Sequence, residues 1–366
     1  MVQKRRTVSG LVSRRLHNQR LIASAFRDPA QVVAWLGAVQ AQEYAVAKWA
    51  LGLRATGLTE PVVERAFTEG RILRTHVMRP TWHFVTPADI RWMLALTAPR
   101  VGAAMASYNR KLELTPRVFS RSHTLVARAL EGGRFLTRAE LGAALARRGI
   151  EAQGQRLAHL MMQAELDQVI CSGPRRGKQF TYALLAERAP RAKALTREES
   201  LAELTRRYFA SHGPATVKDF SWWSGLTTKE ARLGVELCQP GLVREVTGEL
   251  TYWSSPGDSE APAPARAAHV LPIYDEFLIA YKDRGHVAGE GGARDALTAA
   301  AAGFPHLLII GGRLTGSWKR TPGRDALIVT VAPYRSLSGA EIRQVKLAAD
   351  RFGTFQGVPV VTTFTS

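Results

Sequence analysis

The sequence predicts an α+β protein made of three tandem winged-helix units and a C-terminal β-rich, barrel-like domain. Three observations predict it. A grammar of helix, helix, helix and two short strands occurs three times. A Pro/Ala/Ser stretch without periodicity follows at 254–268, and strand-like segments dominate beyond it. The recurrence lies in pattern, because no segment repeats exactly. The units are read as residues 1–115, 116–190 and 191–253, then a linker at 254–268 and the β-rich domain at 269–366.

The first unit opens at Asp28-Pro29, an N-cap followed by proline at the first helical position, with Val32, Val33, Leu36 and Val39 at helical spacing. A second helix follows Thr59-Glu60-Pro61 and stops at Gly70. Residues 71–86 then alternate. Met78, Trp82 and Phe84 share one parity and Thr75, Arg79, Thr81 and His83 the other, as in a half-buried strand or hairpin with a polar face, and Pro80 places it at an edge. The second unit has a helix near 118–130 and a capping box, Thr137 with Glu140, opening a helix that ends at Gly149. A helix over about 153–166 and strands near 169–172 and 180–184 complete it. The loop between those strands, Gly173 to Lys178, is basic, as either a DNA-touching wing or a solvated turn would be. The third unit uses helices near 197–210, 215–224 and 227–237 and strands near 242–246 and 249–253. In the tail, 269–280, 307–310, 312–320, 326–332 and 358–363 read as strands, with one helix over about 338–352. The best hairpin there turns at Thr321 to Asp325.

Charge narrows the function. The 366 residues hold 50 Lys/Arg against 31 Asp/Glu, a net charge of +19, which suits a polyanionic partner. Residues 1–190 carry 29 basic against 13 acidic side chains, so the partner surface is expected mainly in the first half. The preference for Arg over Lys carries less weight, since an Ala- and Arg-rich chain also reflects GC-rich coding DNA. Cys171 and Cys238 lie in no CxxC, which removes zinc fingers, disulfide scaffolds and cysteine-ligated clusters, and both are expected as buried apolar residues. No apolar run is long enough to span a membrane, and the N-terminal segment lacks a signal-peptide core, so a cytoplasmic protein is expected.

Familiar catalytic motifs are missing: there is no GxxxxGK[ST], GxSxG, HExxH, or HxE with PCxxC. The adjacent carboxylates Asp275 and Glu276 are tempting, but strand neighbours point to opposite faces. Asp283-Arg284 offers salt-bridge partners, so the pair reads as structural.

The segments WLGAVQAQEY (35–44), RTHVMRPTWHF (74–84), LPIYDE (271–276) and YKDR (281–284) together resemble the AlkZ and YcaQ family of winged-helix DNA glycosylases, over nearly the whole chain. Gln40-Ala41-Gln42 matches the catalytic QxQ motif of the AlkZ branch, whereas YcaQ-like relatives carry an acid at the second position. The resemblance implies three winged helices around a concave basic surface plus a β domain. It also implies excision of alkylated purines, with unhooking of azinomycin-type interstrand crosslinks as repair and antibiotic self-resistance. Catalysis is then expected from Gln40 and Gln42 without metal or cofactor, by a monofunctional enzyme acting as a monomer on double-stranded DNA.

An amide is no general base near neutral pH, so Gln40 and Gln42 can only hold a water or the sugar by hydrogen bonds. The substrate must be activated already, and alkylation at N7 of guanine does this by making the base a cationic leaving group. At about 100° per residue, positions two apart on a helix diverge by roughly 200°, so the pair can act together only if the helix ends or distorts by residue 40. Without the resemblance, two polar residues on a solvated helix flank would be the simpler reading. Arg79, Thr81 and His83 are candidate DNA contacts, although His83 equally suits a core histidine donating to a carbonyl. Arg175, Arg176 and Lys178 on the loop are further candidates, as are Lys319, Arg320 and Arg324 on the C-terminal hairpin, which the resemblance brings near the lesion. Trp318 is read either as a wedge or as core. The alternative function is a non-enzymatic winged-helix regulator using the same charge.

Overall fold

The protein is seen here in a computed structural model that describes residues 8–257, 266–288 and 306–365. Helix α1 spans Val8–Asn18. Asp28 accepts from the Ala30 N–H at 2.7 Å and, with Pro29, starts α2 (Pro29–Leu36), as its sequence predicts. Gly37, at φ +83°, ends that helix, and the chain runs extended as β1 (Val39–Gln40) before α3 (Tyr44–Gly52) and α4 (Glu60–Thr68). Strands β2 (Leu73–His76) and β3 (Trp82–Val85) complete an antiparallel sheet ordered β1-β3-β2. Pro80 sits in the turn between β2 and β3 rather than on an edge strand. Of the expected polar face, Thr75 on β2 and His83 on the central β3 are fully buried, while Arg79 and Thr81 in and beside the turn are half-buried.

Helix α5 (Ile90–Lys111) leads to α6 (Pro116–Leu130), β4 (Leu136–Thr137), α7 (Arg138–Ala146) and α8 (Gly154–Leu166), closed by β5 (Ile170–Ser172) and β6 (Thr181–Leu184). The Thr137–Glu140 capping box forms as read from the sequence. A short α9 (Leu185–Arg188) precedes α10 (Arg197–Ser211), α11 (Val217–Ser224) and α12 (Thr228–Leu237), each opened by a capping box, and the hairpin β7 (Val243–Thr247) and β8 (Leu250–Ser254). The helix, helix, helix, sheet grammar therefore recurs in space. Part of the expected linker, 258–265, lies outside the described residues.

The β-rich tail departs from expectation in two ways. Its five strands are β9 (Ala268–Leu271), β10 (His306–Ile310), β11 (Arg313–Pro322), β12 (Leu327–Pro333) and β13 (Val360–Phe364). They form one sheet ordered β13-β12-β11-β10-β9, an open sheet and not a barrel, with β12–β13 parallel and α14 (Gly339–Gln356) packed against it. Moreover, 269–280 is not one strand: after Leu271 the chain turns, and Asp275 caps a single helical turn, α13 (Glu276–Ile279). The hairpin between β11 and β12 forms where the sequence places it.

One apolar cluster joins α2, α3 and α4 to this sheet: Trp49 donates to the Val270 carbonyl at 2.8 Å and meets Phe352 edge-on and Phe355 at a tilt. A second gathers α5 and α10 to α12 around Trp92, Tyr208, Phe220 and Trp223, and a third holds α6 to α8. Cys171 is buried, but Cys238 is only partly covered at the end of α12.

A buried ion pair ties the tail to the first unit. Arg54 donates to both Asp275 oxygens, at 2.8 and 2.7 Å, and neither side chain is exposed. Removing one partner of such a pair strands a charge out of water and costs about 3–5 kcal/mol. Arg54→Met is expected to lower the unfolding free energy by about that amount in urea denaturation, and the double variant Arg54→Met/Asp275→Leu to recover most of it. An additive double variant would remove the pair from the account.

Candidate active site

The site is built at the joint between α2 and α3. Because Gly37 stops the helix, Gln40 is already extended, pairing with His83 across β1 and β3, and the Ala41 N–H donates to the Trp82 carbonyl at 2.7 Å. This meets the condition the sequence set for joint action. Ala41 is buried while Gln40 and Gln42 are half-buried.

Gln40 is held from two sides. Its backbone N–H donates to Glu276 Oε1 at 3.0 Å, and its side-chain Oε1 accepts from Arg79 Nη2 at 2.9 Å. An arginine can only donate, so the amide atom facing it is oxygen and the NH₂ points away. Arg79 also donates to the Trp223 carbonyl at 2.9 Å. His83 Nδ1 lies 2.9 Å from the Thr81 carbonyl and so carries the proton, leaving Nε2, 3.4 Å from Arg79, as an acceptor. Burial above all, and then the Arg79 cation, push the His83 imidazole down to about 3.

Glu276 is fully buried, with Oε2 accepting from Trp223 Nε1 at 2.9 Å and lying 3.6 Å from His212 Nε2. Burial opposes its ionisation. The His212 ring, the Gln40 N–H and the Arg79 charge more than offset that, so the carboxyl lies below its ordinary value. Burial likewise lowers Arg79 and His212. The sequence reading gave Glu276 a structural part on a strand; it lies instead directly behind Gln40. Asp275 is structural, but its partner is Arg54 and not Arg284, which donates to the Leu278 carbonyl.

Gln42 Oε1 accepts from the Trp82 N–H at 3.3 Å, a longer bond. Arg74 grips the backbone of the motif, donating to the carbonyls of Ala41 at 3.0 Å and Gln42 at 3.3 Å, while its guanidinium lies 4.3 Å from the Trp82 ring and 4.6 Å from Phe180. Burial brings Arg74 down to about 10, so it is charged at neutral pH. A cleft of about 450 Å³ opens beside this clamp, lined among others by Trp82, Arg138, Glu165 and Lys178. The one hint of Arg74 in the sequence is a charge inside a strand that is otherwise covered.

Several expected DNA contacts are placed differently. His83 is fully buried, and Arg79 directs its guanidinium inward to Gln40 and Trp223. Thr81 is half-buried, and its Oγ1 has no protein hydrogen-bond partner. Trp318 is core, 4% exposed, donating to the Leu271 carbonyl and packed at a tilt against His306 and edge-on against Phe352. Arg175 is half-buried against Glu64, and Arg176 pairs with Glu140 at 2.8 Å while remaining exposed. Lys178, Lys319 and Arg324 are exposed, and Arg320 is half-buried over Phe352. Among the described residues no group of three or more His, Cys, Asp or Glu is arranged to hold a metal ion, and no helix is long and apolar enough to cross a membrane.

Comparison with known proteins identifies the family of the chain. The chain is 26% identical over 359 residues to the interstrand DNA cross-link repair glycosylase of Streptomyces sahachiroi, covering 94% of this chain and 95% of that protein. The solved structure of the S. sahachiroi DNA glycosylase AlkZ superposes with a TM-score of 0.82 at 23% identity, over 98% of this chain and all of that one. The sequence pattern of the AlkZ-like DNA glycosylases matches residues 33–355, an interval that includes Gln40, Gln42, Arg79 and Glu276, and the chain belongs to that family.

Proposed function

We propose that this glycosylase hydrolyses the N-glycosidic bond of N7-alkylated purines in double-stranded DNA and unhooks interstrand crosslinks made through that atom, with Gln40 and Gln42 as its catalytic residues. The observation that carries the reading is the fixed, half-exposed pair of neutral amides with an ionised carboxylate buried behind one of them. The activity named for the S. sahachiroi relative supports the crosslink as substrate.

An N7-alkylguanine already carries positive charge, so its bond to C1′ breaks with the electron pair going to the base, which leaves neutral. Water adds to C1′ and its proton passes to solvent. No group need protonate the base or deprotonate the water beforehand. Gln42, whose oxygen is tied only by a long bond, accepts a hydrogen of that water. Gln40, with its oxygen committed to Arg79, offers N–H donors. The Glu276 charge balances Arg79 and favours a cationic sugar, an effect strengthened by its buried, low-dielectric surroundings. Lys178, Arg176, Lys319, Arg320 and Arg324 meet phosphates.

Replacing Gln40 or Gln42 by Ala is expected to slow release of N7-methylguanine by about 10² or more, with little change in DNA affinity, since neither amide is charged. Both variants excising at the parent rate would remove the catalytic assignment. Rate against pH should be flat from about pH 6 to 8. The His83 pKa is lowered to about 3, so its neutral form contributes stability fully above the unfolded value of roughly 6.5, and that contribution is lost progressively as pH falls from there to about 3. A titrating base with a midpoint inside that interval would contradict the amide mechanism. The product should be an intact abasic site. Lys48, the nearest lysine along the chain, is 2% exposed and bonded to Glu60 and Glu64, which keeps its amine from acting as a nucleophile. Borohydride treatment during turnover should trap no covalent complex.

A further inference from the structure

We propose that Trp222 is the aromatic side chain that enters the DNA stack beside the lesion, occupying the space of the displaced nucleobase. The inference rests on the glycosylase reading above. Trp222 is 46% exposed, and among the described residues only one other aromatic side chain, Tyr108, is exposed. Covering the exposed indole would bury apolar surface, so a ligand with an apolar face suits it. Trp222 is rigidly held: its Nε1 donates to the Ile279 carbonyl at 3.0 Å, which fixes the ring plane without covering it. Arg284 lies 5.8 Å from its ring centroid, so the aromatic face has a cation beside it.

Its position is registered to Gln40 by two independent bridges. Arg79 spans from the Gln40 amide to the Trp223 carbonyl, and Glu276 spans from the Gln40 N–H to the Trp223 indole. The end of α11 is seated as closely as backbone allows. Gly225, at φ +71°, stands where a Cβ would come within 2.1 Å of the Met78 carbonyl oxygen, beside the turn that carries Arg79. Any shift of this helix end relative to Gln40 would break these contacts. A chain of this charge draws duplex DNA to itself, and reaching a glycosidic bond inside the stack means unstacking a base pair, for which an inserted aromatic is the matching group. Trp318, the residue the sequence offered for this part, lies in the core.

The test compares two duplexes carrying one N7-methylguanine, one fully paired and one with an abasic analogue opposite the lesion, where the stack is already interrupted. Trp222→Ala should slow excision by about tenfold or more on the paired duplex and by less than about threefold on the interrupted one, with Trp222→Phe between parent and Ala. Trp222→Leu, which keeps apolar contact but has no aromatic face, carries the same comparison should the alanine variant fold poorly; melting temperatures taken beside the parent decide that. Parent-like rates on both duplexes, or equal losses on both, would overturn the proposal. Failure of the parent to release base from either would instead overturn the glycosylase reading beneath it.

Discussion

The buried pairing of Arg54 with Asp275 is the constraint on which the site depends. It joins residues 221 apart in sequence, one at the end of α3 and the other at the turn leaving β9, with no water to screen them. Arg54 also donates to the Ala50 carbonyl and to Gln19 Oε1, and Gln19 in turn donates to Tyr281, so the arginine is the hub of a network that crosses three parts of the chain. Asp275 serves twice, because the same carboxylate caps α13 through the Phe277 N–H. The next residue is Glu276. Fixing Asp275 therefore fixes the carboxylate behind Gln40, and the tail becomes part of the candidate site rather than an appendage.

The site that results contains charge without exposing it. Arg79 and Glu276 face Gln40 from opposite ends of its own bonds, and His83 stays neutral beside them. An amide held this way is a fixed dipole, whose orientation energy is met during folding and not during reaction. The stacking of Arg74 against Trp82 and Phe180 has the same effect on the backbone of Ala41 and Gln42. The candidate site thus presents neutral groups on a charged foundation, an arrangement suited to a substrate that brings its own positive charge.

Net charge in the sequence overstates the cations available to a partner. Of the basic residues singled out, Arg79 is turned inward, Arg175 and Arg320 are half-buried, Arg176 is exposed but paired with Glu140, and Lys178, Lys319 and Arg324 are exposed. Exposed pairs such as Arg176 with Glu140 cost little to open, so such arginines remain within reach of a phosphate, whereas a guanidinium fully engaged by backbone and amide acceptors does not.

The sequence by itself determined what depends on neighbours along the chain. Asp28-Pro29, the Thr137 capping box and the turn at Thr321 to Asp325 act over four or five residues, so helix starts, the threefold grammar and the C-terminal hairpin were all legible. Gln40 and Gln42 were singled out only through resemblance, since two glutamines carry no chemical signature of their own. Only the tertiary structure decided which polar residues surround them. Glu276 read as structural because its neighbour Asp275 suggested a strand and local salt bridges, yet its contacts lie 236 residues away at Gln40. Trp318 and Trp222 have the same side chain, and no local pattern separates them. One is covered by α14 and the neighbouring strand, the other is left exposed at a helix end, next to the Trp223 that meets Arg79 and Glu276. Burial is a property of what arrives from elsewhere in the chain, and for that reason the roles of Glu276, Arg79 and the two tryptophans had to wait for the fold.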